Sequence, residues 1–192
     1  MAMRKKILDP KRVANFMIKA GRLKWLRRSG WIREKVPEPE SVAEHTFRIA
    51  LLARIVAQSL NLDTAKLTAM AIFHDLAEGM LGDPVTERGK KQVGEHDWNK
   101  EKKVMKKTFS DLGMAELYPL WEENILENGI HATEYSKILY EIGKIATVWQ
   151  ALEYEMIDIT DRKLNEFWEN ADYHVKNKFL RQILNELMKM RK

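Results

Sequence analysis

Two histidines and an aspartate, His45, His74 and Asp75, are the residues of this chain best placed to do chemistry. Imidazole and carboxylate together suit a divalent transition-metal cation. His45 follows Val42 by three residues and precedes Ile49 by four, so it lies on an apolar stripe. His74 stands in helical register with Leu67, Met70 and Ala71 and faces the same way as they do. Asp75 is wedged between apolar neighbours, Phe73 on one side of the pair and Leu76 on the other. A carboxylate there is expensive without a partner. One cation shared by all three groups would satisfy them. The plain alternatives are a hydrogen-bonded core histidine and a chance His-Asp dipeptide.

Two more acids follow closely. Glu78 is one helical turn after His74, and Asp83 stands in a Gly-Asp-Pro turn. Beside a metal-bound water such acids can orient it, accept its proton, or protonate a leaving oxygen. The plain alternatives are a surface helix residue and a turn residue. Arg27 and Arg28 precede Ser29-Gly30. The planar guanidinium fork fits phosphate, although a cation at a helix C-terminus has its own reason to be there. His96, His131 and His174 lie in polar surroundings without ligand spacing and read as surface residues.

Helices must position these groups. Asp9-Pro10 opens a first helix that the pattern carries to the Ser29-Gly30 break. Val36 to Glu40 reads as a stiff extended loop, because each proline restrains the residue before it. Ser41 to Glu44 is a capping box that opens a second helix running to Leu60. Asp63 caps a third helix that runs toward Leu81. Residues 85–100 are polar and read as looser. Further helices are expected over Glu95–Phe109, Met114–Asn128, Glu134–Ile159 and Leu164–Met190. Period-two alternation is missing, so the expected fold is all-α, a bundle of six or seven helices.

Composition agrees. The 192 residues are 45% hydrophobic and 32% charged, which reads as globular. With no cysteine, disulfides, a thiol nucleophile and thiolate metal sites are excluded. No apolar run approaches the ~20 residues of a membrane span, and the basic start lacks the apolar stretch of a signal peptide. The expectation is a soluble, cytoplasmic protein with no membrane partner. Net charge is +5, but residues 1–35 hold 12 Lys or Arg against two acids. A basic segment suits an anionic partner, either nucleic acid or a small phosphorylated ligand, and a solvated helix face explains it equally well.

Three blocks, in order, resemble the HD-domain metal-dependent phosphohydrolases, and among them the 5′-deoxynucleotidase branch. They are L-K-W-L-R-R-S-G-W from Leu23 with P-E-S-V-A-E-H ending at His45, F-H-D-L-A-E-G-M-L-G-D-P from Phe73, and G-K-I-A-T-V-W-Q-A-L-E-Y-E from Gly143. The resemblance covers about residues 10–160. It implies a single HD domain over 1–192, with 161–192 as a helical extension and a metal buried among the helices.

By that resemblance His45, His74 and Asp75 are metal ligands, and Glu78 and Asp83 are the acids associated with catalysis. Arg28 holds the substrate phosphate, and Trp31 lines the same pocket. The family's last ligand, an aspartate in Asp-Lys-Leu or Asp-Lys-Ile, is replaced here by Gly143 of Gly143-Lys144-Ile145. Glu141, two residues away, falls on the opposite helix face.

The implied activity is removal of the 5′-phosphate from (deoxy)ribonucleoside monophosphates with one divalent metal ion, Mn, Co, Fe, Ni or Zn. A catalytically impaired nucleotide- or nucleic-acid-binding protein on the same fold is the alternative that the missing ligand raises. Nucleic acid is not the expected partner. A homodimer is expected, with the apolar C-terminal helices as its candidate surface.

Overall fold

The capping signals of the sequence appear as local structure in a computed structural model that describes residues 8–83, 98–125, 131–159 and 164–191. Asp9 accepts from the Lys11 amide and opens α1, Pro10–Ala20. Ser41 and Glu44 form a complete capping box at the start of α3, Val42–Ser59. Asp63 accepts from the Lys66 amide and opens α4, Thr64–Phe73. These bonds satisfy amides that a helix start leaves without partners.

The first helix is shorter than its pattern predicts. It ends at Ala20 and tightens into a 3-10 turn, Gly21–Lys24. Glycine is a poor helix former, and the stop falls there. Ser29-Gly30, expected as a break, begins a short helix instead: α2, Ser29–Arg33, with Arg28 as its extended N-cap residue. The Arg28 amide donates to the Glu40 carbonyl at 3.0 Å, and the Val42 amide donates to the Leu26 carbonyl at 2.9 Å. This isolated antiparallel bridge, Arg27 with Ser41, ties the arginine segment to the start of α3. No other β pairing occurs among the described residues, and the architecture is all-α, as expected.

The third predicted helix is interrupted. After α4 the chain makes tight turns, with Leu76 donating to Phe73 and Glu78 donating to Asp75. It resumes as α5, Glu78–Leu81. Such i→i−3 bonds turn the chain more tightly than an α-helix does. The remaining helices are α6, Trp98–Leu112; α7, Tyr118–Glu122, preceded by a 3-10 turn at Ala115–Leu117; and α8, Glu134–Met156. Residues 85–97, read as looser with a helix starting at Glu95, lie outside the described residues, as do 126–128 of the predicted Met114–Asn128 helix.

The predicted last helix is two: α9, Asn165–His174, and α10, Lys178–Met190. Asn177 divides them by accepting from the Phe179 and Leu180 amides. The six or seven expected helical stretches are thus present, several of them subdivided.

Packing divides into two apolar clusters. The larger joins α3, α4 and α8 to the last two helices through Ile49, Leu67, Ile142, Trp168 and Leu184. The smaller joins Leu23, Val42, Leu76, Phe109 and Trp121. Among the described residues the chain passes from one cluster to the other several times, and two of these crossings carry the site. They fall between Val42 and Ile49 on α3, and between Ala71 and Leu76 after α4. His45 lies in the first crossing, and His74 and Asp75 lie in the second.

Trp31 is a fixed point of the larger cluster. Its ring centroid lies 4.3 Å from that of Phe167 and 5.3 Å from that of Tyr154. Trp31→Ala should lower stability by about 3–5 kcal/mol, read by urea unfolding; a loss below about 1 kcal/mol would contradict this packing.

Candidate metal centre

The two crossings bring the predicted ligands together. His45, His74 and Asp75 each offer a donor atom, and the three atoms lie within 4.8 Å of one another. The two imidazole centroids are 6.0 Å apart. His45 is buried, and the other two side chains are largely so.

Hydrogen bonding fixes how these groups present themselves. His74 Nδ1 lies 2.7 Å from the Ala71 carbonyl oxygen. A carbonyl can only accept, so Nδ1 carries the proton and donates. In the neutral ring the other nitrogen, Nε2, then bears a lone pair. That lone pair stands 3.0 Å from Asp75 Oδ2, and neither atom makes a hydrogen bond. A lone pair facing a carboxylate oxygen calls for a positive charge between them.

The same shortage recurs nearby. Glu40 Oε2, His45 Nδ1 and Glu78 Oε2 are also buried without a hydrogen-bond partner. Buried polar atoms ordinarily find partners. This group of orphaned N and O atoms fits a divalent cation held by His45, His74 and Asp75.

Charges around the centre are mixed. Arg28 Nη1 lies 3.5 Å from Asp75 Oδ2. Burial pushes the Asp75 carboxyl up, but His74 and then Arg28 outweigh it and hold the group well below the usual carboxylate range. Glu78 goes the other way. Burial first, and then the charges of Asp75 and Asp83, push it well above its ordinary value. His45 is pushed down by burial and by Arg28, against the pull of Glu40. It is therefore neutral, the form that binds metal. Burial opposes the Arg28 charge, yet Asp75, Glu78, Asp83 and Glu40 together raise its pKa.

Asp83 joins the site through α2. Its Oδ2 accepts from the Ser29 amide at the start of that helix. A carboxylate there is favoured by the unpaired amides of a helix start. Arg28 is thus held by the bridge to Glu40 on one side and by the Asp83 contact on the other. It precedes a helix and does not end one, so the reading of a helix C-terminal cation does not apply.

Trp31, expected to line the pocket, lies in the core at 1% exposure. Its Nε1 donates to Glu40 Oε1 at 3.0 Å. Glu40 Oε1 lies in turn 3.4 Å from His45 Nδ1. Glu40 is the residue beside the candidate site that sequence reasoning missed. Burial raises its pKa, but His45, Trp31 and Arg28 hold it below normal. The only local signal was its place directly before the capping Ser41.

Gly143 sits in the middle of α8. A Cβ there would first meet Ile49 Cδ1 at 3.9 Å, an ordinary contact. The position therefore has room for a side chain. Glu141 is turned away, as its helix position implied, and accepts from the Lys176 and Asn177 amides at 3.0 and 2.8 Å.

His131 and His174, expected on the surface, are half-buried on either side of Tyr140, with centroids 4.5 and 5.4 Å from its ring. Burial, helped by the Lys144 charge, pushes His131 down to about 4. Lys144 is half-buried too, its Nζ 4.7 Å from the Tyr140 centroid. Burial and Arg28 lower it to about 8. His96 lies outside the described residues. A groove of about 710 Å³ lined by Arg12, Lys19, Arg22 and Asp111 shares no residue with the centre.

Residues 20–188 match the HD domain family. A relative from Xenopus laevis named 5′-deoxynucleotidase HDDC2 is 29% identical over 184 residues, covering 94% of this chain and 88% of its own. The human protein of that name is 28% identical over 174 residues, covering 90% and 82%. Among solved structures, a conserved hypothetical protein from Pyrococcus furiosus superposes with a TM-score of 0.73 at 28% identity, covering 92% of this chain and 99% of that one. A protein from Magnetospirillum magnetotacticum described as a predicted metal-dependent phosphohydrolase shares the fold, with a TM-score of 0.63 at 18% identity over 94% of this chain and 93% of its own. The matched region runs from the last residue of α1 into α10 and takes in every residue of the centre; the chain belongs to the HD domain family.

Proposed function

We propose that this chain is a metal-dependent phosphoric monoester hydrolase that removes the 5′-phosphate from (deoxy)ribonucleoside monophosphates. The observation that carries the reading is the convergence of His45, His74 and Asp75, with donor atoms within 4.8 Å, beside an arginine. The names of the relatives support the substrate class. A cytoplasmic location belongs to the same reading, because nucleoside monophosphates are made and used there.

His45, His74 and Asp75 would hold the ion, which the donor set allows to be Mn, Co, Fe, Ni or Zn. Such a cation supplies Lewis acidity and makes water a nucleophile near neutral pH. The chain's own groups do the rest. Arg28 turns its guanidinium from Asp75 to the incoming phosphate and offsets charge that develops on it. Glu78, one turn beyond His74, orients or deprotonates the attacking water. Asp83 protonates the leaving 5′ oxygen; the roles of these two acids are exchangeable. Trp31 acts through Glu40, as a positioning residue for His45. The Ala71 carbonyl keeps His74 in the tautomer whose Nε2 can bind metal.

Three outcomes test the reading. Purified protein should release phosphate from at least one nucleoside monophosphate and lose that activity to a chelator. Inertness toward all of them with every candidate metal would favour a binding protein. His74→Ala should empty the metal site by elemental analysis while the melting temperature of the metal-free protein barely moves; normal turnover in that variant would refute the ligand assignment. Gly143→Asp should tighten metal retention by about tenfold, read by competition with a chelator, and an unchanged affinity would show that position 143 does not face the ion.

A further inference from the structure

The basic opening segment, whose composition suits an anionic partner, does more than supply Arg28 to the metal centre. On α1 and the 3-10 turn after it, Arg12, Phe16, Lys19 and Arg22 recur at intervals of three or four residues and share one face. That face lines the groove of about 710 Å³ against α6, and none of the groove's residues belongs to the metal centre. Sites for small ligands have this size.

The groove holds a surplus of positive charge. Arg12 lies 3.9 Å from Asp9, a long and exposed contact. Asp111 is shared: Lys107 holds it at 3.0 Å, and Lys19 reaches it only at 3.7 Å. Arg22 has no acid partner among the described residues. Four cations thus face two acids, and ion pairs this exposed are weak. The complement of such a surface is an anion of more than one charge.

Both walls are anchored. Leu23, next to Arg22, is buried, and the backbone of Gly79 on α5 packs close to it. A Cβ at position 79 would stand 3.3 Å from both Leu23 Cδ2 and the Lys19 carbonyl oxygen. On the other wall Thr108 and Leu112 are buried. Arg12 reaches the turn after α6, where a Cβ at Gly113 would stand 3.4 Å from its Nη1. A fixed backbone on both sides reduces what a ligand must order when it binds.

Charge and shape together describe that ligand. Lys19 and Arg22 are neighbours at one end, and the arginine fork takes phosphate oxygens in pairs. Arg12 stands two turns away, about 10 Å from Lys19 along the helix axis. Between them is the part-buried ring of Phe16, with Leu112 on the facing wall. An apolar stretch with an aromatic ring suits a flat ring system. Asp9 and Asp111 interrupt the run of cations, which favours a short ligand over a nucleic-acid strand with its repeating charge. We propose that the groove between α1 and α6 is a second ligand site, for a nucleoside di- or triphosphate, with phosphates on Lys19 and Arg22 and the base over Phe16.

Isothermal titration calorimetry of the full chain, with no metal added, tests this with dATP as the probe. His74→Ala, which disables the metal centre, should bind one dATP per chain with the wild-type affinity. In that variant dAMP should bind at least about tenfold more weakly, because it brings fewer charges. Arg22→Glu should weaken dATP binding by about tenfold or more while the melting temperature holds, since the side chain is exposed. Arg22→Lys should keep most of the affinity. Absence of dATP binding would overturn the proposal. So would dATP binding that His74→Ala removes, that Arg22→Glu leaves intact, or that dAMP equals. A single-stranded oligonucleotide that binds more tightly than dATP, and loses its grip in Arg22→Glu, would make the groove a nucleic-acid surface and overturn the choice of ligand.

Discussion

The lone pair of His74 Nε2, held 3.0 Å from a carboxylate oxygen, is the constraint on which the rest of the site depends. The Ala71 carbonyl fixes the proton on the other nitrogen, so the ring cannot relieve the contact by changing tautomer. A protonated imidazole would relieve it, and so would a cation. Buried unpaired atoms on Glu40, His45 and Glu78 add to the negative side of the same space. Arg28 neutralises part of it from one direction only. The fold therefore maintains, at some cost in stability, a cluster whose natural complement is a metal ion.

Most connections that hold this cluster have a backbone group at one end or both. The bridge between Leu26–Arg28 and Glu40–Val42 places an arginine and an acid on the two sides of α3's first turn. Glu40 is kept in place by Trp31, and its amide donates to Tyr154 of α8. Asp83 reaches back across the sequence to the Ser29 amide. Arg28, Glu40 and Asp83 are thus each held by an element other than their own, which makes that part of the geometry a property of the whole packed domain.

Local signals were legible and subtle turns were not. Asp9, Ser41 and Asp63 cap helices where the sequence placed them, because a capping side chain bonds an amide only two or three residues away. The grouping of His45, His74 and Asp75 was legible too, since inward-facing histidines on adjacent apolar helices are physically awkward unless used. The tightening at His74–Ala77 was invisible: over four residues the apolar spacing of a 3-10 turn and of an α-helix coincide. The split near Asn177 lacks glycine or proline, and its one signal was an asparagine placed before Phe179 and Leu180. Glu40 was read only as the end of a stiff proline-bearing loop, and the tertiary approach of Trp31 and Tyr154 gives it buried partners. Trp31, carried over by resemblance, packs on Phe167 and Tyr154 and bonds Glu40, contacts that its motif position alone does not give.

The candidate ligands His45, His74 and Asp75 stand at a boundary between the two apolar clusters. Parts of one domain can open by separate steps where little ties them together. An ion gripped from both sides of the boundary would make them melt as one. The cooperativity of unfolding in this protein, and not merely its midpoint, then becomes a gauge of metal loading.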